Sequence, residues 1–341
     1  MRDVIRALIR TLEEDRAVVF CQIVETRGST PQKAGAAMLV LPDGGQVGTL
    51  GGGCVENEVR RDALRRLHEP GPSVHSFLLD HDDAWADGLV CGGRMTVVVE
   101  ALRGEAPLAY FRALAATMDR GGGFTEAVVV SPESPELGRR ALFDADGRRE
   151  AGGASLEARP APLSERPRPR VERGVAWLPS PPTVRLVIAG AGHVGREVAA
   201  LAGRVDFDVW VIDDRRRLAD AERFPDAGRI LVGPIAETLA SIGIDANTYI
   251  LIVTRGHGHD RDALGVAAPT AASYVGLIGS RRKIRMIFEA LRERGVSEEA
   301  LARVSAPVGL DIGSRTVPEI AVSVVAQLIA RRNLGAGREP S

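Results

Sequence analysis

The chain carries two thiols on glycine turns, an arrangement that can expose a reactive thiolate. Cys54 follows Gly51, Gly52 and Gly53 directly and opens a helical pattern carrying Val55, Val59, Ala63, Leu64 and Leu67. Glycines let the main chain turn tightly and admit a ligand close to the backbone. The unpaired amides that begin a helix favour an anion. Glu56 and Glu58 in the same first turn oppose a thiolate there. A turn that needs only a small buried residue also takes cysteine. Cys91 sits on the second turn, followed at once by Gly92 and Gly93 and preceded by His81, Asp82 and Asp83. That acidic stretch fits a cation site or a solvated loop.

Further chemistry lies in the second half. Gly190-Ala-Gly-His-Val-Gly195 follows an apolar run and opens a helical one, and a second apolar run ends at Asp213 at about the expected interval. In that context Gly190 makes the turn, Gly192 admits a pyrophosphate beside His193, and Gly195 allows close helix–strand packing. Asp213 would bond an adenosine ribose and favour NAD. Arg215, Arg216 and Arg217, which follow, would instead hold a 2′-phosphate. A Rossmann domain that binds no dinucleotide is the bland alternative. Two later loops should fall at the same strand ends. His257, His259 and Asp260 would converge on a metal or move protons, or stand exposed. Arg281, Arg282 and Lys283 at a helix start would form a phosphate seat. No Gly-Lys-Ser/Thr ending follows the glycine motif, which disfavours Walker-type ATP hydrolysis.

The chain that must position these groups has 341 residues, a natural length for two domains. A net charge of −1 gives no electrostatic reason to bind nucleic acid or an anionic membrane. Aromatics at 4% leave few surfaces for stacking bases. Cys21, Cys54 and Cys91 form neither a disulfide framework nor a zinc-ligand pattern. With no secretory h-region and no membrane-length apolar run, a cytoplasmic protein is expected.

Residues 1–16 pattern as a helix, followed by strands over 17–26 and 36–41, the short 46–50 segment, the triglycine helix, and strands over 74–79 and 95–100. A helix over 107–120, a strand over 127–130 and a hairpin around Asp146-Gly147 follow. The expected N-terminal α+β domain spans 1–156. Residues 157–182, rich in Pro and Arg, are expected to form an extended linker. From 183 to 341, apolar runs at 185–189, 208–213, 229–232, 249–253 and 274–278 alternate with helical stretches. They predict an α/β doubly wound parallel sheet of Rossmann type. A final helix is expected over 318–332.

Together these stretches resemble the XdhC/CoxI family, accessory proteins of molybdenum hydroxylases such as xanthine dehydrogenase. The resemblance rests on Gly28-Ser-Thr-Pro31, Gly48 to Glu56 and Val90 to Gly93 in the first half. In the second half it rests on Gly190 to Gly195, Thr254 to Asp260, Gly276 to Lys283 and Gly309 to Gly313. Residues 105–180 carry no such motif. The resemblance implies a protein that binds the molybdenum cofactor (molybdopterin), protects it, assists its sulfuration and inserts it into the apo-hydroxylase. Its implied partners are that hydroxylase and a cysteine desulfurase, and a homodimer is expected. On that reading Gly51, Gly52 and Gly53 would receive an anionic group, and Glu56 beside them is a further cofactor-binding candidate. Cys54 or Cys91 would meet the metal, since thiolates are soft ligands, or relay sulfur. Gly192, Arg281 and Lys283 would hold the phosphate or nucleotide end.

Two other functions compete. An NAD(P)-dependent oxidoreductase follows from the glycine motif alone, although His193 lies too close to the pyrophosphate position to serve as its acid or base. An enzyme that modifies the cofactor by sulfur or nucleotidyl transfer would draw on the His257–Asp260 loop, but no complete catalytic constellation accompanies it.

Overall fold

A computed structural model describes residues 1–69, 71–79, 93–156 and 158–335. The chain divides into two compact units at Pro182 and Thr183.

The first unit opens with α1 (Arg2–Glu13) and an antiparallel sheet of β1 (Val18–Arg27), β2 (Ala37–Val40), β3 (Gln46–Gly48), β4 (Ser73–Leu79) and β5 (Gly93–Leu102), in order β3-β2-β1-β5-β4. Successive side chains of a strand point to opposite faces, and β1 fills both. Val19, Cys21 and Ile23 pack under α2 (Gly53–Arg66) against Val55, Val59 and Ala63. Val18 and Phe20 face α1 and α3 (Glu105–Arg120), against Leu8, Leu12, Phe111 and Leu114. Fully burying each such side chain contributes about 1.5–3 kcal/mol.

A second antiparallel sheet has the order β8-β7-β6-β10-β9, from β6 (Phe124–Val129), β7 (Arg140–Phe143), β8 (Arg149–Gly152), β9 (Arg170–Glu172) and β10 (Val175–Ser180). It packs on the first sheet through Val128, Val130, Ala176 and Leu178 against Val24 and Val98. The stretch expected as a linker therefore supplies two strands. Val175-Ala-Trp-Leu-Pro-Ser180 pairs with β6 along its whole length, and Ala176, Trp177 and Leu178 are buried. The Pro- and Arg-rich composition describes only the approach to that strand.

The second unit is the α/β doubly wound domain. β11 (Arg185–Ala189), β12 (Asp208–Asp213), β13 (Arg229–Val232), β14 (Thr248–Ile252), β15 (Tyr274–Leu277) and β16 (Val304–Ser305) run parallel in the order β13-β12-β11-β14-β15-β16. Leu186, Ile188, Val209 and Val211 pack beneath α4 (His193–Arg204) and α9 (Val317–Leu334). Val187, Ala189, Ile212 and Ile250 pack beneath α5 (Ile235–Ser241), α6 (His257–Ala267), α7 (Arg281–Glu293) and α8 (Glu298–Ala302). Burial on both faces explains why these strands are continuous apolar runs rather than alternating ones. The strand order reverses between β11 and β14, and ligands of such sheets bind at the carboxyl ends beside that switch. Among the described residues no helix is long and apolar enough to cross a membrane.

Candidate functional site

Gly51 and Gly93 both approach the Gly28–Pro31 turn in the first unit. Gly51, Gly52 and Gly53 hold φ of +113°, +77° and +70°, a region L side chains rarely adopt. A Cβ at Gly51 would stand 2.4 Å from Pro31, and one at Gly93 would stand 2.1 Å from the Ser29 carbonyl oxygen. The Gly28–Pro31 turn is thus wedged between the triglycine turn and the start of β5. A Cβ at Gly52 would meet nothing within 4 Å, so this part of the turn is open.

Glu56 organises that turn. Its Oε2 accepts from the amides of Leu50 and Gly52 at 2.8 and 3.1 Å and from the Thr49 hydroxyl at 2.5 Å. Its Oε1 accepts from Gln46 Nε2 at 2.8 Å, and the Gly51 amide donates to Thr49 Oγ1 at 2.9 Å. Partial burial would raise the Glu56 carboxyl, but these donors outweigh it and hold it below the usual carboxylate range. The anion seat expected at Gly51 to Gly53 is thereby corrected at Gly51 and Gly52, and Glu56, expected to bind cofactor, is spent on the turn itself. The Gly51 and Gly52 amides are occupied by the chain's own oxygens, and Glu56 shapes the turn. Gly53 and Cys54, at the first turn of α2, remain exposed. Cys21 lies fully buried in the core below α2, where desolvation pushes its thiol far up. Cys91 and the His81 stretch lie outside the described residues.

In the second unit the glycine motif has the strand–turn–helix setting its spacing predicts. Gly190 has φ +122°, and a Cβ there would stand 2.5 Å from the Val253 carbonyl oxygen. A Cβ at Gly195 would stand 2.1 Å from the carbonyl oxygen of Gly190, while one at Gly192 would meet open space. Gly192 caps α4, and His193 is exposed on its first turn.

Asp213 is fully buried and turned toward the loop. Its Oδ2 accepts from the Ala191 amide at 2.7 Å and from Arg215 Nη2 at 2.8 Å. Its Oδ1 accepts from the Arg215 amide and Nε at 2.9 and 2.8 Å. Burial would raise this carboxyl, but Arg215 and the two amides lower it to about 2. A ribose bond from Asp213 would require displacing Arg215. The neighbouring Asp214 is more accessible and pairs with Arg255 at 2.8 Å, joining the loops after β12 and β14.

The loop after β14 differs from its expectation. Asp260 is fully buried. Its Oδ1 accepts from the Thr254 amide at 3.2 Å and hydroxyl at 2.6 Å, and its Oδ2 pairs closely with Lys283 Nζ. His257 and His259 stand exposed on the first turn of α6. Among the described residues no three His, Cys, Asp or Glu side chains are grouped to hold a metal ion. The expected convergence of His257, His259 and Asp260 is therefore corrected: Asp260 faces inward to Lys283 and Thr254. Lys283 is committed to that pair, which leaves Arg281 and Arg282 as the exposed cations at the start of α7.

The comparisons follow the same two units. Residues 186–328 match the XdhC Rossmann domain, and residues 11–78 match the XdhC and CoxI family. The chain belongs to the XdhC and CoxI family. It is 26% identical over 341 residues to a probable xanthine dehydrogenase subunit of Bacillus subtilis, covering 94% of this chain and 95% of that one. It is 24% identical over 336 residues to the molybdenum cofactor insertion chaperone PaoD of Escherichia coli, covering 97% and 88%. A third relative, the Escherichia coli protein YqeB, is 29% identical over 326 residues, and the chain spans only 45% of its length. The crystal structure of a xanthine dehydrogenase from Bacillus halodurans superposes with a TM-score of 0.79 at 26% identity, covering 98% of both chains.

Two groupings in this XdhC-family chain went unread in the sequence. Asp62 on α2 accepts from Ser73 Oγ at 2.6 Å, meets His75 Nε2 at 2.8 Å and pairs with Arg65. Burial opposes its charge, but these donors hold the carboxyl far below its usual range. Gln22, Glu126 and Arg140 form a buried cluster between the two sheets of the first unit. Its one sequence signal is a polar residue in mid-strand, as Gln22 within Val-Val-Phe-Cys-Gln-Ile-Val.

Proposed function

We propose that this chain is an accessory factor that binds the molybdenum cofactor, protects it, assists its sulfuration and inserts it into a molybdenum hydroxylase. The observation that carries this reading is the exposed thiol of Cys54 on a rigid glycine turn whose Gly52 edge is open. The name of PaoD, a molybdenum cofactor insertion chaperone, supports it at 24% identity. The residues fit such a group in kind. Cys54 would supply a soft ligand or a sulfur relay at the metal end. In the second unit, taken by itself, the free space above Gly192 and the start of α4 would suit a phosphate or a nucleotide. When bound, the cofactor supplies a sulfurated metal centre. The chain's own part is to hold it, exclude oxidants and release it. The client apo-hydroxylase, a cysteine desulfurase and a second copy of this chain are the partners of the proposal. An NAD-dependent oxidoreductase gains no support from Asp213, whose oxygens are already bonded.

Anaerobic purification from a host that makes the cofactor tests the proposal, with bound molybdenum, pterin and nicotinamide dinucleotide measured together. Stoichiometric pterin with little dinucleotide is expected. Dinucleotide without pterin would return the chain to the oxidoreductase reading. If Cys54→Ala and Cys91→Ala both retain cofactor as the parent does, neither thiol holds it.

A further inference from the structure

A cavity of about 260 Å³ opens within the first unit, walled by Phe20, Leu114, Met118 and Phe124, with Gln22 and Glu126 also lining it. Gln22 is 1% exposed and Glu126 3%, so they form a buried polar floor under apolar walls. Such a floor costs stability unless its polar atoms are bonded. Gln22 Nε2 donates to Glu126 Oε2 at 2.9 Å. Arg140 Nη1 donates to Gln22 Oε1 at 2.6 Å and to Glu126 Oε1 at 2.8 Å, and Tyr110 donates to the same Oε1 at 2.9 Å. Arg140 also stacks on the Phe20 ring at 4.9 Å, so the cation that bonds the floor packs against one of the walls.

These bonds do not use every polar position of the floor. A primary amide nitrogen carries two hydrogens and a carboxylate about four acceptor positions. Gln22 spends one hydrogen on Glu126, and Glu126 spends three acceptor positions, two on Oε1 and one on Oε2. One N–H of Gln22 and one lone pair of Glu126 Oε2 remain, on two bonded residues that both line the cavity.

We infer that this cavity binds a small flat heterocycle through a lactam edge, its carbonyl accepting from Gln22 and its ring N–H donating to Glu126. A carboxylate ligand would meet the charge of Glu126, and a hydrocarbon would leave both polar groups unpaired. Pockets for drug-sized ligands run to roughly 300–1,000 Å³, so this smaller cavity suits one bicyclic ring such as a pterin or purine. The inference stands apart from the cofactor-carrier reading, because its occupant is the free ring.

The test titrates the full-length protein with free pterin, xanthine and quinoline, a bicycle of similar shape that lacks the lactam, using calorimetry. At least one lactam should bind tenfold or more tighter than quinoline. Met118→Trp fills the wall without touching the floor and should weaken lactam binding at least tenfold with an unchanged melting temperature. Ala34→Leu, at another part of the lining, gives the same readout if the tryptophan variant fails to fold. Preference for pterin over xanthine assigns the cavity to the ring class of the proposed cofactor, and the reverse assigns it to a purine. Equal binding of quinoline, or undiminished lactam binding in a folded filled variant, overturns the inference. A protein that carries cofactor yet binds none of the free rings would sink the cavity proposal and leave the carrier reading standing.

Discussion

Asp260 and Lys283 form an ion pair that joins the first turn of α6 to the first turn of α7. The carboxylate is fully buried, and its other oxygen holds the amide and hydroxyl of Thr254. One side chain thus sets two of the loops at the carboxyl end of the sheet, where ligands of this fold bind. Asp214 and Arg255 tie a third loop to the same place at 2.8 Å.

Asp260→Ala should be costly because it strips Lys283 and Thr254 of their acceptor at once. Removing one partner of a buried pair costs about 3–5 kcal/mol, and Lys283, with 22% of its side chain exposed, can recover part through water. A loss of about 3 kcal/mol in urea denaturation is expected, with an unchanged m-value. Asp260→Asn keeps an oxygen for Thr254 and should lose clearly less. Equal losses in the two variants would show that the ion pair adds nothing beyond the Thr254 bonds.

The roles of Asp260 and of residues 175–180 show where the sequence stopped being legible. The strands of the second unit were visible because both faces are buried, which turns each into an apolar run. β16 was not, since Val304 and Ser305 are only an edge pairing with β15. β10 was hidden by the Pro- and Arg-rich residues before it, although Ala176, Trp177 and Leu178 are buried. In the candidate site the glycine positions were readable, because at Gly51, Gly190 and Gly195 close approach leaves no room for a side chain. The acids were not. Asp213, Asp260 and Glu56 had the spacing of ligand-binding groups, and tertiary partners decided that each serves the backbone instead.

Asp213 gives a pH-dependent prediction. Its carboxyl falls to about 2 in the folded chain, against about 4 for an unperturbed aspartate. A depressed folded value contributes stability above the unfolded value, and that stability is lost as pH falls from about 4 toward 2. Asp213→Asn should therefore be destabilised at pH 7, and its gap from the parent should narrow across that window. Urea midpoints at pH 7, 4 and 3 measure it. A gap constant with pH would mean that the Arg215 pair contributes no charge-dependent stability.

Glu56→Ala should loosen the triglycine turn by removing the acceptor of the Leu50 and Gly52 amides. Orphaning bonded donors costs about 1–3 kcal/mol, less where water can reach them, so a loss near 1 kcal/mol is expected. Amide exchange at Leu50 and Gly52 should accelerate more than at Val59, deep in α2. Glu56→Gln, which keeps one acceptor oxygen, should fall between parent and alanine variant. Unchanged exchange at both amides would remove Glu56 from its role in the turn.

Arg140 offers the sharpest test of the buried cluster. Its guanidinium pairs with Glu126 at 2.8 Å and with Glu100 at 3.3 Å, and it has 5% of its side chain exposed. Burial raises the Glu100 carboxyl, and the pull of Arg140 only partly offsets this. Arg140→Leu leaves the buried Glu126 and the half-buried Glu100 without the cation they share, a change worth about 3–5 kcal/mol. The folded variant then takes up protons that its unfolded chain does not hold. A carboxyl raised in the folded state stabilises below its unfolded value and loses that contribution as pH rises through the folded one. The penalty of Arg140→Leu should thus be largest at pH 7 to 8 and shrink toward pH 5. Adding Glu126→Gln to Arg140→Leu removes one of the stranded charges, so the double variant should be more stable than the single one at pH 7. If the second change instead adds its own full cost, the two residues act independently and the cluster is not held by their charge.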